Sequence, residues 1–503
     1  MKNSASSLFL NAAISFCTFI LISPSFAQSV KTDLGVYPEP PPSTIPASGG
    51  TFTDPVFGTT LLRVTDSLDG ADNHQSYSYW PSFNKTSSIL YISSVGGFPM
   101  LYDFNPNTLS ISNKRALFPA NPAGDGTPNA EDAIWSGIQP NHMLCHTSQK
   151  IYDYNVSNNQ YSLIHDFSST YPNIFLWQMS RSMNDSTFGF TYKDNGSYAV
   201  VGYLAYQLVN NTTDTAHLPT LDEVQVDKTG TFLVIKTGNS GSGIVKVQVL
   251  NLLNHQLTNL IDNAPDFAPG HSDNGSGTIL GYDNWNNRYT YRTAANPHVF
   301  YSVIDYNNDW TLGTHVSMLA DDESTVLISS FVADTNLHPS GVFVDEVYEV
   351  STDGAQSVRR FCHTHSDFLH QSSNNSYWSM PRGNISRDGK FATFTSNWGS
   401  ITRRDVFVLK IPPAGPTSVN ENTPGRIKIY PNPATNFLIL ESLSEEENLT
   451  VIFRDAYGRI FREQKLASSK TIVETGSWKP GFYSYVVFQK DVQLFSGKLS
   501  IVK

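Results

Sequence analysis

The sequence predicts an all-β protein: a seven-bladed β-propeller followed by a small C-terminal β-sandwich. Three observations carry that expectation. The 503-residue chain is rich in Ser, Thr, Asn, Tyr and Val and nearly lacks Leu/Ala/Glu/Lys-rich stretches, which favours strands and turns over helices. A polar turn followed by an apolar strand recurs seven times, at intervals of roughly 40 to 65 residues, the length of a four-stranded blade. Two Pro-rich stretches, residues 37–50 and 412–425, set this periodic region apart from the chain ends.

Taken in chain order, residues 1–27 have the form of a signal peptide. Lys2 precedes an apolar run from Leu8 to Ile22, and Ser25 and Ala27 supply the small residues at −3 and −1 of a cleavage site before Gln28. The run is short for a membrane span. No later segment approaches 18 consecutive apolar residues, so no transmembrane segment is expected after cleavage. Cleavage removes Cys17 and leaves Cys145 and Cys362. These are expected as buried free thiols, with one disulfide as the alternative. Residues 28–50 form a Pro-rich, extended lead-in.

The propeller is expected over residues 51–411. Its seven turns are Asn84-Lys85, Pro140-Asn141, Asn184-Asp185, Asp227 to Gly230, Asn274-Gly275, Asp321-Asp322 and Arg387 to Lys390. Each blade hides a sheet face against the next, which protects the edges of so large an all-β body. The strands Phe57–Arg63 and Asp405–Lys410 are expected to share one sheet and close the ring. Two successive β-sandwiches are the rival architecture and would not need the repeated turn. The net charge of −11, from 33 Lys and Arg against 44 Asp and Glu, leaves no overall electrostatic footprint for nucleic acid.

After a linker at 412–426, residues 427–503 carry five motifs in order. They are Ile429-Tyr430-Pro431-Asn432-Pro433, Phe437-Leu438-Ile439-Leu440, Phe453 to Arg459, Pro480-Gly481-Phe482-Tyr483, and Gly497 to Lys503. Alternating strands around Asn-Pro and Tyr-Gly turns describe a small β-sandwich. The set resembles the C-terminal sorting domain of the type IX secretion system of Bacteroidota. That resemblance implies the type IX machinery as a partner and outer-membrane export, to the cell surface or the medium.

Histidines are the candidate chemistry. His271, His315, His363 and His365 lie near the turns of consecutive repeats. In a strand, His363 and His365 share one face, and a His-x-His pair plus a remote His can collect three imidazoles for a divalent metal. If the repeats are in phase, the four rings converge at one end of the channel. Recurring structural histidines are the alternative, and Cys145-His146-Thr147 echoes Cys362-His363-Thr364 in that sense.

Asp388-Gly389-Lys390 through Thr395-Ser396-Asn397-Trp398-Gly399, with Gly270-His271-Ser272-Asp273 and His363-Thr364-His365-Ser366, is similar to a group of secreted propellers. The group includes the oligogalacturonate lyases and, more loosely, TolB-like propellers. The resemblance implies His315, His363 and His365 as ligands of a manganese-like ion and His271 as a catalytic base. It also implies β-elimination from a uronic acid in an acidic polysaccharide. A Gln ligand of the lyases is replaced here by Arg360, and a guanidinium cannot ligate a metal. Arg360 is expected to hold a substrate carboxylate instead, and Arg292 and Arg382 are further candidates for that role. Trp80, Trp135, Trp285 and Trp378 are candidates for stacking on sugars, with blade packing as the other role. A non-catalytic propeller binding glycan or protein is the alternative function. A glycoside hydrolase, drawing carboxylates from Asp72, Glu131 and Asp273, is a third.

Overall fold

The computed structural model describes residues 30–238, 246–260, 269–283, 286–306, 311–332, 341–367, 376–400, 402–413, 427–430, 432, 434–442, 449–455, 459–466, 470–489 and 492–502. The signal peptide, most of the linker and Trp285 lie outside these residues. The chain divides into two compact units, residues 1–413 and 414–503.

The first unit is a propeller of seven antiparallel sheets. Blades 1 to 6 span residues 73–116, 134–166, 174–217, 221–259, 269–305 and 312–363, each with four strands in sequential order. Blade 7 takes its inner strands from residues 384–410 and is completed from the N-terminus. Thr60–Arg63 pairs with Asp405–Lys410, placing Leu61 opposite Leu409 and Leu62 opposite Val408. Thr51–Thr53 adds a fifth strand outside it. The closure joins two remote parts of the chain through apolar contact, because Leu61, Leu62, Phe407, Val408 and Leu409 are all buried. Each such side chain contributes roughly 1.5–3 kcal/mol of burial.

The recurring turns have a physical cause. Asp227 accepts backbone N–H bonds from Thr229, Thr231 and Phe232 at 3.1, 2.9 and 2.8 Å, and one from Gly277 of the next blade at 2.9 Å. Asn84 does the same for Ser88 and Ile89, and its amide donates to the Pro140 carbonyl of blade 2 at 2.8 Å. One short polar side chain thus folds its own turn and ties it to a neighbour. Gly230 and Gly389 sit at φ of 78° and 68° in these turns, where a Cβ is disfavoured. Cys145 and Cys362 are buried free thiols.

The second unit is a β-sandwich. Ile427–Tyr430, Phe437–Ser442 and Lys470–Glu474 form one sheet; Leu449–Arg454, Ile460–Lys465, Gly481–Gln489 and Val492–Ile501 form the other. Leu438, Leu440, Val451, Phe453, Val473, Trp478 and Leu499 fill the space between them.

Candidate functional site

The first strand of each blade lines the central channel, and the N-terminal ends of these strands surround one mouth. The mouth has a floor. Tyr77 to Trp80 of blade 1 form a turn, with the Trp80 N–H on the Tyr77 carbonyl at 3.1 Å, and this turn crosses the channel. Trp80 donates its indole N–H to the Met179 carbonyl of blade 3 at 2.9 Å. The Tyr79 hydroxyl donates to Glu223 of blade 4 at 2.6 Å. The Tyr77 ring meets His271 of blade 5 and His315 of blade 6 edge-on, at 6.0 and 5.1 Å between centroids. Asn384 of blade 7 donates to the Trp80 carbonyl at 2.6 Å.

His271 and His315 occupy the inner strands Pro269–Asn274 and Leu312–Ser317. Their rings stack at 4.1 Å and 16°. His271 Nδ1 bonds the Thr314 carbonyl. A carbonyl only accepts, so Nδ1 carries the hydrogen, and in the neutral ring Nε2 keeps a bare lone pair. Burial, helped by Lys236, holds the His271 pKa below its ordinary value. His315 is fully buried between His271 and Phe331, whose ring lies 5.5 Å away. Among the described residues, neither of its nitrogens has a hydrogen-bond partner. Burial, then His271 and Arg382, push its pKa far down.

Charged groups complete the mouth. Burial works against the Glu223 carboxylate, but Lys236 and the hydrogen bonds of Lys236 and Tyr79 outweigh it and hold its pKa down. Burial, then Asp132, pushes Glu131 up. Arg382 is fully buried, with its guanidinium 4.4 Å from the Trp378 ring centre and 5.2 Å from that of Tyr377. Its Nε and Nη2 donate to the Met380 and Trp378 carbonyls at 3.4 and 3.3 Å, and among the described residues Nη1 has no partner and no carboxylate lies within ion-pair distance. Burial brings its pKa down to about 10. His74 stacks on the other side of this group, 4.0 Å from Trp378, and burial followed by Arg382 lowers it to about 3.

The expected convergence of four histidines splits into two pairs. His363 ends Val358–His363, the outermost strand of blade 6, and His365 lies in the turn that follows. They are therefore out of phase with His271 and His315, despite a one-blade spacing in sequence. His363 donates from Nε2 to the Tyr37 carbonyl at 2.9 Å. The His365 N–H donates to Glu39 at 2.7 Å, and its ring packs 4.3 Å from Trp398. Both anchor the lead-in. The blade 7 side chain whose charge reaches His315 is Arg382. Among the described residues, no three His, Cys, Asp or Glu side chains are grouped to hold a metal ion. His315, His363 and His365 thus do not fit a shared manganese-like ion.

Arg360 is also diverted from the carboxylate-binding role expected of it. It forms a two-pronged ion pair with Glu346, with Nε at 2.7 Å, and Nη1 donates to the Gly35 carbonyl at 2.5 Å. Neither side chain is more than 1% exposed, so these donors face no ligand. Of the candidate sugar-stacking tryptophans among the described residues, Trp80 and Trp135 are buried and Trp378 is half-buried at the mouth. Asp72 pairs with Arg404, and Asp273 accepts from the Met318 N–H at 2.6 Å. Tyr77, Tyr79, Glu223 and Lys236 escaped sequence reasoning. The one available signal was the aromatic run Tyr77-Ser78-Tyr79-Trp80 between two strands.

Comparison with known proteins bears on both units. Residues 428–501 match the family described as the secretion system C-terminal sorting domain. No curated protein matches the chain. An oligogalacturonate lyase from Vibrio parahaemolyticus is similar in structure at a TM-score of 0.54 and 10% identity, covering 73% of this chain and 99% of that one. An oligogalacturonate lyase in complex with manganese gives the same TM-score and identity, covering 74% of this chain and 98% of its own. At that identity the likeness establishes the propeller fold.

Proposed function

We propose that the sorting domain delivers this propeller through type IX secretion to the cell surface or the medium, where the channel mouth acts on an acidic glycan by β-elimination. The observation that carries this reading is the His271 Nδ1–Thr314 bond. It fixes the tautomer and leaves a basic Nε2 at a partly open position, and burial keeps the ring neutral near neutral pH, as a general base requires. In the reaction, Nε2 takes the proton α to the uronate carboxylate. The electron pair forms a C=C bond and the glycosidic C–O bond to the β-carbon breaks. The leaving oxygen takes a proton from the Tyr77 hydroxyl, and the resulting phenolate, which burial disfavours, regains a proton from the His271 imidazolium through solvent, so both groups return to their starting state. The unpaired Arg382 charge behind Trp378 and Tyr377 favours the anionic transition state. No step is assigned to a metal, because the donor set does not fit one.

The split of the metal ligands favours a second reading, a propeller that binds the glycan without cleaving it. Incubating the purified chain with polygalacturonate and following ultraviolet absorbance of unsaturated uronate separates the two. Elimination gives rising absorbance. Binding without absorbance leaves the second reading, and no binding removes both.

A further inference from the structure

Blade 3 carries an unexplained platform beside the mouth. Phe175 and Trp177 alternate along the inner strand Ile174–Arg181 and so share a face. Lys193 lies directly across from Phe175, and hence diagonal to Trp177. Its ammonium sits 3.5 Å from the Trp177 ring centre and 6.0 Å from that of Phe175. Tyr198 reaches over from the next turn, with its ring 5.7 Å from Phe175. Tyr198 is 68% exposed and holds a φ of 57°, an arrangement that a buried packing role does not require. Among the described residues, Lys193 has no carboxylate within ion-pair distance. The strand of Phe175 and Trp177 runs on to Met179, whose carbonyl accepts the Trp80 indole N–H at 2.9 Å, so platform and mouth adjoin.

We infer that Phe175, Trp177, Tyr198 and Lys193 form a second sugar subsite, which takes another uronate residue of the chain whose reacting residue sits in the mouth. The chemistry matches each part. Sugar C–H faces lie on exposed aromatic rings, and an unpaired ammonium held against those rings meets a carboxylate. A ligand with only one of these properties, an apolar peptide or a free phosphate, leaves half of the platform unused. The inference rests on the acidic-glycan reading and sets its length requirement: the ligand is an oligomer.

The test uses the full chain and galacturonate monomer, dimer and hexamer, with affinity measured calorimetrically. The hexamer is expected to bind roughly tenfold tighter than the monomer, about the contribution of one good contact. Tyr198→Gly suits the positive φ and lies on the surface, so it preserves the fold; it is expected to remove most of that gain and leave monomer affinity unchanged. Lys193→Met should remove the salt dependence of the gain. Trp177→Ala serves as a third variant, checked by its unfolding transition. Equal affinities for monomer and hexamer, or losses from Tyr198→Gly that are the same for both, overturn the subsite while the mouth reading stands. No binding by any of the three overturns the acidic-glycan reading and the subsite together.

Discussion

Arg360 and Arg382 are both fully buried, yet replacing each by Met should have very different consequences. Arg360 is paired with Glu346 inside the protein, and Arg360→Met strands a buried carboxylate. Breaking such a pair costs about 3–5 kcal/mol. Burial already raises Glu346 to about 7 in spite of the arginine, so the stranded group takes up a proton. The loss should therefore be larger near pH 8 than near pH 5. Arg382→Met removes a charge that has no carboxylate partner among the described residues and donates only to the Met380 and Trp378 carbonyls there. It relieves about 1–3 kcal/mol of unsatisfied-donor cost and forfeits about 0.5–2 kcal/mol of interaction with Trp378 and Tyr377. The net effect should lie within about 1 kcal/mol of the parent. Urea unfolding of both variants, monitored at two pH values, measures the contrast. If Arg382→Met loses as much stability as Arg360→Met, Arg382 has a structural partner and is not held in reserve for a ligand.

Three further outcomes follow from the fold and the tail. Phe407→Ala, in the closing sheet against Phe52, Phe394 and Trp398, should cost about 3–5 kcal/mol and make the N-terminal strand the first site of limited proteolysis; unchanged protease resistance would argue against closure by that strand. Burial, followed by Asp345, raises Glu39 from 4.5 to about 9. Its contribution to stability is full below about pH 4.5 and is lost as pH rises through about 9, so the advantage of Glu39→Gln over the parent in melting temperature should grow from pH 5 to pH 9. A constant or shrinking difference contradicts the raised value. Deletion of residues 427–503 should leave the protein in the periplasm by cell fractionation; normal surface delivery would refute the sorting role.

Those parts of the fold with a local cause could be read in the sequence. The Asp227 and Asn84 turns stand out because one side chain satisfies several backbone N–H groups, and that demand leaves a mark in the sequence of both blades. The closing sheet was legible because two apolar strands stood unpaired at opposite ends of a seven-fold pattern. The site was less legible. His271 and His315 meet because each sits in an inner strand. His363 has a similar spacing but ends an outer strand, and spacing does not distinguish the first strand of a blade from the last. The partner of Arg360 depended on hairpin register, which brings Glu346 opposite His363 and its carboxylate to the guanidinium. The plug was invisible because Tyr79 finds Glu223, and Trp80 finds Met179, only after the ring has closed.

The central claim, that His271 is the base of an elimination at this mouth, is tested most directly by His271→Gln. The full chain and this variant are each titrated with galacturonate hexamer and then assayed for unsaturated uronate, with chelator and with added manganese. The parent is expected to bind and to form product in both conditions, while the variant keeps an affinity within about threefold of the parent, under 1 kcal/mol, and loses product formation by at least about a hundredfold. A variant that still forms product at the parent rate, or a parent that forms none while binding the hexamer, contradicts the claim.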